Sequence, residues 1–170
     1  MTVRAVDISV RPARPGDGAG LARAWLEAGR YYASLNPDLF QVPEEEGLSE
    51  HFERALATSR PDLHHVVAEV GDRIVGSAVG RLEPALSSAR YQLQRHLGHR
   101  RLVVDAVVVE ERFRGRGVGT RLMNALEEWG RRRGATLALL DTYPESALSL
   151  PFFEERAGYH RRSVRLFKGL

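Results

Sequence analysis

Between an apolar run ending at Val109 and an amphipathic stretch beginning at Val118, the chain reads Glu110-Glu111-Arg112-Phe113-Arg114-Gly115-Arg116-Gly117-Val118-Gly119-Thr120. Three alternating glycines at the mouth of a helix remove the side chains that would shield the backbone, so the amides of residues 115–120 can converge on an anion. The helix dipole adds about half a positive charge there, and each flanking arginine offers charge-assisted contacts of about 1.5–3 kcal/mol. The chemistry this suits is the holding of a phosphate. Gly-x-Gly-x-Gly is not the G-x-G-x-x-G of dinucleotide folds, and no G-K-[ST] follows. Lys168 is the only lysine beside 24 arginines, which excludes a Walker-type loop and a Schiff-base lysine in a pocket. With no cysteine in the chain, an acyl-enzyme thiol, a disulfide and a metal thiolate are also excluded.

The elements that position this loop can be read from periodicity. Val118, Leu122, Ala125, Leu126 and Trp129 form one face of a helix that carries Glu127/Arg131 and Glu128/Arg132 pairs on the other, with Gly134 as its stop. Before the loop, residues 101–109 read as a nearly all-apolar strand in which Asp105 is the exception. Residues 63–70 and 73–82 are β-branched runs joined by Gly71-Asp72, a type II′ hairpin signal. Upstream, residues 8–14 read as a strand, Asp17 as a helix N-cap, and Leu21, Ala24, Trp25 and Ala28 as a helix ending near Gly29. Residues 30–48 look irregular and 49–58 helical. After the loop helix come a strand over 135–140, a helix over 146–156 interrupted near Pro151, and closing strands over 159–167. Hairpins and helix-connected strands together give an α+β fold with a mixed sheet.

At 170 residues with 43% hydrophobic and 28% charged side chains, one soluble globular domain spanning 1–170 is expected. The start shows no signal peptide and no stretch long enough to span a membrane, so a cytoplasmic protein with no membrane partner is expected. Residues 1–98 carry 11 basic and 13 acidic side chains and residues 99–170 carry 14 and 9, so an anionic partner would favour the second half. Nucleic acid is disfavoured, because Arg131-Arg132-Arg133 closes a helix and no aromatics interleave with it. His96/His99 and His64-His65 lack a third ligand at recognisable spacing, so no metal is expected. Tyr31, Tyr32 and Phe40 either line an acceptor pocket or pack in a covering segment. Glu44 to Glu46 reads as a solvated face, as do Glu110 and Glu111.

The loop resembles the coenzyme A loop of the GNAT superfamily of N-acetyltransferases, whose [RQ]-x-x-G-x-[GA] signature matches Arg114-Gly115-Arg116-Gly117-Val118-Gly119. Phe152-Phe153-Glu154-Glu155-Arg156-Ala157-Gly158-Tyr159 is similar to the family's ending. The resemblance implies a central, mostly antiparallel twisted sheet flanked by helices and splayed between two central parallel strands, with acetyl-CoA in the gap as co-substrate. Its pantetheine would lie on the backbone of Val107, Val108 and Val109, and its pyrophosphate on Arg114, Gly115, Arg116, Gly117, Val118, Gly119 and Thr120. The family's asparagine before the last helix is replaced by Pro144-Glu145-Ser146, so Ser146 would only partly supply that cofactor contact. Phe153 stands in the cofactor-side place of the family's leaving-group tyrosine, which leaves Tyr143 as the candidate acid.

Without a cysteine, direct attack by an amine on the thioester is the simplest course, and it needs a base. Asp105 is the candidate, on the expectation that burial in an apolar strand raises its pKa; the alternative is a carboxylate at the strand's splayed edge paired with an arginine. A backbone N–H near Val109 would stabilise the oxyanion. The expected activity is acetyl transfer from acetyl-CoA to a primary amine, small molecule or peptide. A non-catalytic acyl-CoA-binding module is the alternative. The acceptor is not encoded in these motifs, and monomer and homodimer are both left open.

Overall fold

The computed structural model describes residues 7–169. Five strands form one sheet in the order β1 (Ser9–Pro12), β2 (Leu63–Val70), β3 (Arg73–Glu83), β4 (Arg101–Val109), β5 (Leu137–Leu140), antiparallel throughout except for the β4–β5 pair. The mixed sheet is the one expected. Gly71 has φ +59° and Asp72 does not share a positive φ, as a type II′ connection requires.

Helix α1 (Gly18–Leu35) and helix α2 (Leu48–Ala57) pack against each other, and α1 also packs on β3 and β4. Helix α3 (Val118–Arg132) lies against β2, β3 and β4. Its apolar face, with Val118, Leu122, Leu126 and Trp129, meets Val66, Ala68, Val75, Ala78, Leu102 and Val104 in the main core. Gly134, at φ +84°, ends it as expected.

Several expectations change. Helix α1 continues through Gly29 to Leu35, because Pro43 closes against Gly29, where a Cβ would stand 2.4 Å from the ring, so tertiary packing holds the glycine inside the helix. Asp17 stands at the N-cap position, but its carboxylate bonds the Arg11 guanidinium and the Arg14 amide instead of the helix amides. The last helix is reduced to α4 (Ser149–Pro151) followed by a single π turn, closed by the Ala157 N–H donating to the Phe152 carbonyl. The closing strands over 159–167 do not form. That run carries Arg161, Arg162 and Arg165 among its few apolar residues; Arg161 is drawn to Glu154 and Arg165 to Asp141, leaving Val164, Leu166 and Phe167 exposed.

Two irregularities of β4 shape the centre of the sheet. Parallel pairing with β5 runs only from Arg101↔Leu137 to Val104↔Leu140, so among the described residues no strand lies beyond 105–109. On the other side, Gly80 pairs with Val104 and Val79 with Ala106, so Asp105 is the extra residue of a β-bulge. The sheet opens where β5 stops.

Candidate active site

The open half of β4 presents backbone. The Glu110 N–H donates to the Val75 carbonyl on the β3 side, so by the alternation of an antiparallel ladder the N–H groups of Val109 and Val107 face the open edge. The Arg114 Nε–H donates to the Val109 carbonyl at 3.1 Å from that same edge. The side chains of Val107 and Val109 pack into the core on the α3 face, and Val108 is buried.

The glycine loop follows directly. Gly115 and Gly117 have φ of +71° and +81°, a conformation L side chains avoid, and a Cβ at either would meet nothing within 4 Å. No side chain caps the first turn of α3, and the amides of Val118, Gly119 and Thr120 precede the first intrahelical bond, from the Arg121 N–H to the Gly117 carbonyl. Gly119 is needed for a different reason: a Cβ there would stand 3.0 Å from the Phe152 ring. Open space, unshielded amides and Arg116, whose guanidinium has no ion pair among the described residues and sits 5.9 Å over the Phe113 ring, together fit an anionic group.

Glu110 corrects the sequence reading. It is 2% exposed, with its carboxylate bonded by Arg23 at 2.8 Å and by Arg73 at 3.0 Å, and Arg112 at 3.4 Å. Burial opposes its charge, but the hydrogen bonds from Arg23 and Arg73 outweigh that and hold the carboxyl below its usual value. Arg23 begins a polar stripe on α1. Glu27, one turn on, accepts from the Glu111 N–H and lies 3.5 Å from Arg114. Tyr31, another turn on, lies under Arg114 and bonds the Ser146 hydroxyl at 3.0 Å. Arg23 and Glu27 escaped the sequence reading, which named Tyr31 only with Tyr32 and Phe40, although the i, i+4, i+8 spacing of the three was the available signal.

Asp105 is exposed and ion-paired with Arg81. The burial on which its expectation as a base rested is absent, because the bulge turns it out of the apolar ladder. Tyr143 donates to Glu145 at 2.9 Å and receives the Asn36 amide at 3.1 Å, with Phe40 edge-on at 5.2 Å. Tyr31, Tyr32, Phe40 and Tyr143 thus form one aromatic cluster joining α1 to the loop after β5. Ser146 is fully buried and receives the Ser149 N–H at 3.1 Å, so its hydroxyl is engaged within the chain. Phe153 is buried in the core between Phe152 and Tyr159. Among the described residues no three His, Asp or Glu side chains form a metal-holding group, and no helix is long and apolar enough to cross a membrane.

Known proteins share this fold. The model of the acetyltransferase (GNAT) family matches residues 28–159. A glucosamine 6-phosphate N-acetyltransferase of Trypanosoma brucei brucei is 32% identical over 148 residues, 74% of this chain and 92% of that protein. Among solved structures, the tetramutant of a Bacillus halodurans protein superposes with a TM-score of 0.79 at 19% identity, over 95% of this chain and 99% of the other. An aminoglycoside N-acetyltransferase in complex with CoA superposes with a TM-score of 0.70 at 16% identity, over 100% of this chain and 99% of the other. The two structural likenesses carry the fold, and the sequence matches carry the kinship: the chain belongs to the acetyltransferase (GNAT) family.

Proposed function

We propose that this chain transfers an acetyl group from acetyl-CoA to a primary amine. The observation that carries the reading is the continuity of the open backbone edge at 107–109 with the uncapped, glycine-lined start of α3. A strand-like pantetheine arm would hydrogen-bond the former, and a pyrophosphate would accept from the amides of residues 115–120 with Arg114 and Arg116 beside it. Acetyl-CoA supplies an activated thioester.

The chain's own residues do the rest. The Val109 N–H, aimed at the open edge, donates to the thioester oxygen as negative charge develops on it. Asp105, exposed at the bulge, takes the proton of the incoming ammonium directly or through water, and Arg81 holds its carboxylate. General-base assistance of this kind is worth about 10²- to 10⁴-fold. Tyr143 is the candidate acid, and its Glu145 and Asn36 partners fix its hydroxyl. A CoA-like thiol of pKa ~8.5 leaves adequately without it.

Calorimetry with acetyl-CoA, followed by thiol release across an amine panel, tests the reading. Gly117→Val places a β-branched residue at φ +81° and covers the amides, so affinity should fall by about 100-fold. Arg114→Ala should weaken binding by about tenfold. Unchanged affinity in both variants overturns the phosphate assignment. Tight binding with no thiol release for any amine would favour a non-catalytic acyl-CoA-binding module.

A further inference from the structure

On the α1–α2 face of the sheet lies a second feature, a cavity of about 170 Å³ that the glycine loop does not reach. Its walls are Trp25 of α1, Phe52 of α2, and His65, Val79 and Ala106 from β2, β3 and β4. Trp25 and Phe52 meet edge to face at 6.4 Å, which fixes the aromatic side of the cavity. Among the described residues, no aspartate, glutamate, lysine or arginine lines it. Its polar members are His51, Ser77 and His65, and the His65 Nε2 is buried without a hydrogen-bond partner. Burial, with a smaller contribution from His64, pushes the His65 imidazole down to about 4, so the ring is neutral.

The cavity and the open strand share a residue. Ala106 is a wall of the cavity and also part of the β4 stretch that β5 leaves unpaired. Asp105, its chain neighbour, reaches Arg81, and Arg81 stands two residues from Val79 on the same face of β3. An amine whose apolar part fills the cavity therefore has a carboxylate at the bulge for its ammonium end.

We propose that this cavity is the acceptor site and that it takes an arylalkyl- or alkylamine, a single ring or a branched chain of about six carbons, since cavities of about 150 Å³ hold benzene. The proposal rests on the acetyl-transfer reading and adds its substrate class. A buried imidazole without a partner favours an acceptor whose ring carries a hydroxyl or N–H. A phosphosugar needs a cation for its phosphate and a polycationic aminoglycoside needs several carboxylates, and this lining offers neither.

The test uses phenethylamine, tyramine, glucosamine 6-phosphate and kanamycin with the intact protein and with Leu48→Trp, which fills the cavity from the first, partly exposed residue of α2. Amine binding is read by calorimetry without acetyl-CoA, and thiol release with it. Phenethylamine and tyramine should bind and turn over, with tyramine favoured. In Leu48→Trp their binding should weaken, and their KM rise, by at least about tenfold, while acetyl-CoA affinity stays within about twofold. Two results overturn the proposal: neither aromatic amine binding the intact protein, or Leu48→Trp leaving their binding unchanged. Aromatic-amine binding in a protein that fails to bind acetyl-CoA would instead spare the cavity and overturn the acetyl-transfer reading.

Discussion

At the C-terminal end of its open stretch, β4 runs into Glu110, whose buried carboxylate is bonded by Arg23 and Arg73. At the N-terminal end of the same stretch, Asp105 is exposed and meets Arg81. The two carboxylates are five residues apart and serve opposite needs. A carboxylate fixed by several guanidiniums holds a loop in one geometry but cannot take up protons near neutral pH. One with a single partner at a bulge stays open to solvent and to a second cation. The fold thus separates its rigid end, beside the glycine loop, from its open end, beside the cavity.

The sharpest way to break this comparison is to remove the charges one at a time. Asp105→Asn should lower kcat by about 10²- to 10⁴-fold with acetyl-CoA affinity nearly unchanged, as measured by thiol release and calorimetry. Arg81→Gln is the companion variant: if Asp105 were merely an ion-pair partner, both substitutions would have equal effects. Glu110→Ala should act in the other sense. Removing one partner of a buried pair costs about 3–5 kcal/mol, and the low end applies because Arg23 and Arg73 are each 41% exposed and can rehydrate. Chemical denaturation should show that loss, with acetyl-CoA binding weakened as the loop loosens.

Acid separates the two ends by pH. His65 has its folded pKa lowered from 6.5 to about 4, so the unfolded chain binds more protons between those values. Its contribution is complete above pH 6.5 and is lost as pH falls towards 4. Glu110, also lowered, contributes above its unfolded value of 4.5 and loses that contribution below it as the carboxyl protonates. The stability curve should therefore fall in two limbs. His65→Phe should flatten the upper one except for the part due to His64, whose pKa is lowered by burial and by Arg133 and Arg132. The lower limb should shrink in Glu110→Ala and keep the part due to Asp17, whose carboxyl is held low, against burial, by hydrogen bonds from Arg11 and the Arg14 amide. A single limb in the intact protein would contradict the assignment.

Local pattern carried much of the architecture. The boundaries of β4 and the start of α3 follow from an unbroken apolar run, a glycine loop and a 3.6-residue period. The loop's geometry was legible for the same reason, since positive φ at Gly115 and Gly117 is a local demand. What was not legible depends on partners distant in sequence. Helix α1 passes Gly29 because Pro43 returns to it. Glu110 is buried because arginines 87 and 37 residues upstream converge on it. Asp105 is turned out by a bulge that is visible only once β3 is paired. Residues 159–167 form no strand although their composition allows one, because among the described residues no strand of the sheet pairs with them.

The early end of β5 also bears on self-association. An unpaired strand edge inside a sheet is a template for another chain's backbone, and proteins blunt such edges by keeping them short and placing charge on them. Here the exposed edge spans only 105–109, begins at the charged bulge residue Asp105, and has the Val109 carbonyl occupied by the Arg114 side chain. The arginine beside the glycine loop thereby also blunts the edge against pairing with another strand, while the N–H groups of Val107 and Val109 stay open.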